Sequence, residues 1–373
     1  MATLRDPRPY FADLDDPRRD TKNKLHLLSD ILFIVLCSVL SGIEDWVGMQ
    51  DFARFREAWF RKYLTLPNGI PSHDTISSVM GRLKPKQFAE CFTCWVADAL
   101  PSLAGEIIAI DGKSLNGSRT EKNDNVYVIS AFASQAKLVL SQHSVDGKGN
   151  EIKAIPQLLD MLELEGAIVT IDAIGAQKKI VDKIVEEKAD FVISLKGNQG
   201  NLHNDVIASF QESKSDLAAC ETLEKSHGRI ETRKYFLNTD VERLLQGNKG
   251  WSGIKSVAML ESTREINGKI TKEERYYICS LTNVDDIAKA VREHWSIENK
   301  EHWILDVQFR EDEHVARKDH RAANLALVRR MCINLLRRDE QDKRSMRRKK
   351  RFAAFDDQWR EHFLFGEPVT PPG

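Results

Sequence analysis

EIIAIDG at residues 106–112 and AIVTIDA at residues 167–173 are two almost unbroken apolar runs, and each delivers an aspartate at its polar end, Asp111 and Asp172. Runs this short and this apolar suit strands buried on both faces of a sheet, and ligands bind where such strands end. Between them, VYVISAFAS (126–134) and KLVLSQHSV (137–145) read as strands joined by a hairpin-length connection, and EIKAIPQLLDMLEL (151–164) as a helix. Beyond them, KKIVDKIVEEKA (178–189) reads as helix and DFVISLKGNQ (190–199) as a further strand.

Three strands, helix, strand, helix, strand predicts an α/β fold with an RNase H-like mixed-sheet core, although other mixed α/β sheets share that order. From about residue 201 to 285 the alternation gives way to strand-like pieces, RIETRKYFL, IKSVAMLES and RYYICSL, separated by glycine-rich turns, and a β-rich insertion is expected there. A long helical region then opens near Asp286 and carries VREHWSIENKEHWILDVQFRED. Upstream, a helix is predicted from near Thr21, with Leu25, Leu28, Leu32, Val35, Leu36 and Val39 on one face and Gly42 placed to end it. Trp46, Met49, Phe52, Trp59 and Tyr63 supply a second apolar face, and Ser72 or Asp74 is placed to cap a short third helix.

At 373 residues the chain exceeds the size at which one core stops growing, so a central domain with added modules is expected. Hydrophobic content of 42% and charged content of 30% are those of a globular protein with a substantial core. The thirteen-residue apolar run 31–43 is too short to span a bilayer, and no membrane partner is expected. Six scattered cysteines, of which only Cys91 and Cys94 are close, read as free thiols in a reducing cytoplasm. Net charge is −1, yet residues 337–351 hold nine basic side chains against three acidic ones, a segment that suits either a phosphate backbone or a solvated helix face.

Either aspartate alone is an ordinary strand-end cap. Two on neighbouring parallel strands repel unless a cation lies between them, and Mg²⁺ takes hard oxygen ligands of this kind. Glu298, on the returning helix, is the third candidate, and a helix carboxylate beside a strand-borne pair would complete a two-metal site for phosphoryl transfer. At helical spacing His294, Glu298 and His302 would share a face, leaving open a His-Glu-His transition-metal site or a plain polar stripe. Trp295 and Trp303 lie off that face. Lys113, Lys196, Asn198, Gln199, His227 and Arg229 are candidate phosphate or base contacts, each equally readable as a surface or turn residue.

These segments resemble the H-repeat-associated, ISAs-type insertion-sequence transposases, a branch of the DDE transposases. DPR near the start, SDILFIVLCSVLSG, LPNGIPSHDT, AIDGKSLNGS, VISAFAS, TIDAIGAQKKI, SLKGNQG, EKSHGRIETR and HWSIENKEHWILDVQF followed by ED run in family order over almost the whole chain. The resemblance implies a DDE triad at Asp111, Asp172 and Glu298, with Mg²⁺ or Mn²⁺ as cofactor. It implies double-stranded DNA, both element ends and target, as partner, and homo-oligomerisation on that DNA. It also implies an N-terminal helical domain over residues 1–100 and an RNase H-like catalytic domain over 101–335 interrupted at about 201–285; the local charge excess marks 336–373 as a basic C-terminal segment.

Two departures stand out. Related groups carry Tyr, Arg, Glu and Lys around the last acid, where this chain has Val291, His294, Glu298 and Leu305, so phosphate clamping would fall to Arg292, Lys300 or His302. Glu301 stands where the branch is expected to be apolar. The expected activity is metal-dependent phosphodiester hydrolysis and strand transfer at element ends. A DNA-binding remnant without chemistry, and an RNase H-like nuclease with another substrate, are the alternatives.

Overall fold

A computed structural model describes residues 4–22, 24–119, 124–213, 217–226 and 228–369. The chain forms an α/β fold that divides into two compact units, one made of Met1–Ser102, Gly112–Ala154 and Glu298–Gly373, the other of Leu103–Asp111 and Ile155–Ile297.

In the second unit, the first half of β1 (Ile107–Ser114) pairs parallel with β4 (Ile168–Ile171), and β4 pairs parallel with β5 (Asp190–Leu195). Both flanking strands and the helices cover β4, which is why it reads IVTI with no polar alternation. Antiparallel strands then continue from β5, in the order β9 (Lys269–Cys279), β8 (Ser256–Ile266), β7 (Arg229–Asn238) and β6 (Ala218–Ser226). The β-rich stretch thus extends the parallel sheet at β5. Helix Val284–His294 packs on this sheet through Ile287, Ala288, Ala290 and Val291, against Val192, Tyr235, Leu260 and Cys279. Asn283 caps it by accepting from the Asp285 and Asp286 N–H groups.

The first unit contains the antiparallel pair β2 (Val126–Ala133) and β3 (Leu138–Asp146) with helices around it. The chain order β1-β2-β3, helix, β4, helix, β5, with this mixture of parallel and antiparallel pairing, is RNase H-like. Helix Leu28–Leu40 is buried on nearly every side, with Phe33 stacked near Trp59 and Phe365. It begins seven residues later than the sequence predicts, because Leu27 is extended and Leu25 stays exposed. Ser72 is the N-cap of helix His73–Arg82, accepting from the Thr75 N–H. Helix Arg321–Arg337 runs buried along almost its whole length and docks on β3, where the Asn334 amide both accepts from the Val139 N–H and donates to its carbonyl. No helix among the described residues is long and apolar enough to cross a membrane.

Candidate active site

Ile110 of β1 lies opposite Ile171 of β4, so Asp111 and Asp172 follow at the same level on adjacent parallel strands. Only β4 stops there: β1 continues through Asp111 to Ser114, so the expectation that both acids end their strands holds for Asp172 alone. Asp111 is half-buried and Asp172 exposed. The Asp172 carboxylate accepts from the Ile174 N–H at 3.1 Å and caps the turn Ala173–Gly175. Each acid is backed by a glycine that sterics require. A Cβ on Gly112 would lie 2.2 Å from the Tyr127 ring, and one on Gly175 would lie 2.4 Å from Ile171 Cγ2.

The exit of β5 shares that edge. Lys196 and Asn198 are exposed, Gln199 is half-buried, and Asn198 donates to the Ala173 carbonyl at 2.7 Å, tying the turn after β5 to the turn after Asp172. The carboxyl ends of these parallel strands therefore present acids, a lysine and an amide in one unit, where α/β sheets bind their ligands.

Glu298 belongs to the other unit. The single helical stripe expected for His294, Glu298 and His302 is not formed: the α-helix ends at His294, and Glu298–His302 is a π-helical turn before helix Trp303–Gln308. A π turn holds an extra residue per turn and breaks the four-residue register that the stripe required; such turns recur at functional sites. Glu298 opens the turn and is exposed. His294 Nδ1 lies 3.0 Å from Thr170 Oγ1, two residues before Asp172. Burial lowers the His302 pKa, helped by the Arg330 and Lys113 charges and opposed by Glu301 and Glu311. Arg275 covers the Trp295 ring, and Trp303 is exposed.

Other candidates are held in ion pairs. Lys113 is buried and meets Asp306 at 2.7 Å, Asp312 at 2.8 Å and Glu311 at 3.5 Å. Burial pulls its pKa down, but the three carboxylates outweigh that and raise it above the ordinary lysine value. Arg292 forks onto Glu224 at 2.9 and 3.0 Å, and Arg229 lies 3.5 Å from Glu231. Lys300 is half-buried, and His227 lies outside the described residues. Sequence reasoning missed the reason for Glu301: it is fully buried and bonded to the equally buried Arg330 at 2.8 Å. Its appearance at an apolar position was the one signal of that pair.

Among the described residues no three or more His, Cys, Asp or Glu side chains are gathered into a metal cage. The donors that fit a hard cation are the Asp111 and Asp172 carboxylates, oxygen ligands on neighbouring strands, which suits an ion that keeps most of its waters.

A profile of the transposase DDE domain family matches residues 103–335, and one of the DDE_Tnp_1-associated family matches residues 9–96. The "H repeat-associated putative transposase YhhI" of Escherichia coli (strain K12) is 37% identical over 94% of this chain and 96% of its own length. An "Uncharacterized protein in dhlA 3'region" of Xanthobacter autotrophicus is 43% identical over 75% of this chain and 96% of its own. Among solved structures, a piggyBac transposase synaptic complex with hairpin DNA superposes with a TM-score of 0.44 at 12% identity, covering 96% of this chain and 77% of that one.

Proposed function

The chain belongs to the transposase DDE domain family, and we propose that it cuts and rejoins DNA at the ends of an insertion sequence, with Asp111, Asp172 and Glu298 as its three acids. The observation that carries this reading is the Ile110–Ile171 register, which sets two carboxylates side by side at the carboxyl edge of the parallel strands. The family's DDE chemistry supplies the role of Glu298. Mg²⁺ or Mn²⁺ held by these carboxylates would activate water or a DNA 3′-hydroxyl and stabilise the leaving oxygen.

The chain's own groups bind and orient the DNA. Lys196, Asn198 and Gln199 are the phosphate or base contacts at the exit of β5, the strand beside β4. Arg347, Arg348 and Arg351, exposed on helix Met346–Phe355, are further contacts to the phosphate backbone. Lys113 and Arg292 act structurally, since carboxylates already hold them. Joining two ends calls for more than one copy of the chain on DNA.

The test is cleavage of a labelled duplex carrying the element's terminal sequence, with Mg²⁺ or Mn²⁺. Wild type cuts at the element boundary, and Asp111→Ala, Asp172→Ala and Glu298→Ala each lose more than the ~10–100-fold that outer-shell changes cost. End-specific binding without cutting in any metal would mean an inactive remnant. Cutting without end preference would mean a nuclease of another specificity.

A further inference from the structure

Helix Arg321–Arg337 is an unusual core element, because a helix buried on all sides normally carries apolar residues throughout. Arg330 and Arg337 are two turns apart and share a face. Both reach the same turn, Arg330 through a side chain and Arg337 through a backbone carbonyl. Arg330 Nε donates to Glu301 at 2.8 Å, and Arg337 donates to the Lys300 carbonyl and, at 2.9 Å, to the Lys137 carbonyl. Lys300 and Glu301 lie within the π turn that starts at Glu298. Such a turn departs from the regular backbone ladder and gains from partners outside it.

The chain of charges continues. Glu311, also buried, lies 3.6 Å from Arg330 and 3.5 Å from Lys113, two residues beyond Asp111 on β1. Stability does not account for this arrangement, since the attraction within a buried ion pair barely repays its desolvation. What the pair supplies is a single geometry.

We infer that Arg330 and Arg337 are positioning residues: gripping Glu301 and the Lys300 carbonyl, they fix the turn that begins at Glu298, and through Glu311 and Lys113 they fix the stretch of β1 that follows Asp111. The inference rests on the proposed roles of Glu298 and Asp111.

The double variant Glu301→Leu/Arg330→Met tests it, because removing both charges together leaves neither partner stranded. Four quantities are read on the full chain: melting temperature, affinity for the end duplex, cleavage rate and Mn²⁺ affinity by calorimetry. Melting temperature and duplex affinity stay near wild type, while cleavage rate and Mn²⁺ affinity fall about tenfold or more, as for outer-shell partners of metal ligands. Adding Glu298→Ala to the double variant then weakens Mn²⁺ binding no further, the non-additivity of residues acting through one group. Wild-type cleavage and Mn²⁺ affinity in the double variant overturn the inference, as does a full additional loss on adding Glu298→Ala, or no Mn²⁺ binding by wild type. Should the double variant not fold, the half-buried Arg337→Met is read in the same way, and unchanged Mn²⁺ affinity there overturns it. If wild type binds Mn²⁺ but does not cleave, the proposed function fails, and the Mn²⁺ cycle still decides the positioning role.

Discussion

Arg330 and Glu301 have no exposed surface, and the two charges compensate one another at 2.8 Å. Removing only the arginine, in Arg330→Met, strands Glu301 and deprives Glu311 of one of its cations, at a cost of about 3–5 kcal/mol. Denaturant unfolding checks this, and the single variant should be clearly less stable than the double one. Glu311 gives the network its pH dependence. Burial pushes its pKa up, but Arg330, Arg329, Lys113 and His302 overcome that and hold it below the usual carboxylate range. A depressed folded pKa means stability that is present above the ordinary carboxyl value and is lost as pH falls through the lower one. Melting temperature followed from neutral into acid solution should therefore fall less steeply in Glu311→Gln than in wild type. The strand-edge placement of Asp111 and Asp172 was legible in the sequence because each ends an almost unbroken apolar run. The charge network was not, because Arg330 finds Ser130 200 residues away, and one sequence does not show such a pairing.

Among the elements, the strands with continuous or alternating apolar character were read close to their observed limits. Helix Gly200–Ser213 and β6, AACETLEKS, went unread because their polar composition matches neither period cleanly. The break after His294 was equally invisible, since nothing in ENKEH distinguishes a π turn from an α-helix. The outer halves of β8 and β9, around Glu265, Ile266, Lys269 and Ile270, are exposed, whereas β4 and β5 are mostly buried. Amide exchange should be markedly faster in the outer hairpin than in the parallel strands, because exposed backbone bonds open locally.

The basic helix Met346–Phe355 divides its charges. Lys349 donates to the Leu336 carbonyl at 2.8 Å and Lys350 to the Gln308 carbonyl at 3.1 Å, so these two hold the carbonyl ends of other helices. Arg347, Arg348 and Arg351 remain exposed. Replacing those three by glutamine should leave the fold intact and flatten the salt dependence of DNA binding by about 0.9 in log–log slope for each phosphate no longer neutralised. An unchanged slope would show that this face is merely solvated.

For the molecule as a whole, the family profiles cover residues 9–96 and 103–335, so the DDE domain match and its associated-family match lie on stretches that the sequence motifs also run through. The proposed chemistry requires Asp111, Asp172 and Glu298 to serve one divalent-metal site. Ligand exchange tests that requirement most directly. A thiolate is a softer ligand than a carboxylate and serves Mg²⁺ poorly, while the softer Mn²⁺ tolerates it better. Asp111→Cys, Asp172→Cys and Glu298→Cys should each fail to cut an element-end duplex in Mg²⁺ and regain cutting in Mn²⁺, while wild type cuts in both. Cysteine variants that cut equally well in both metals, or a wild type that cuts in neither, would contradict it.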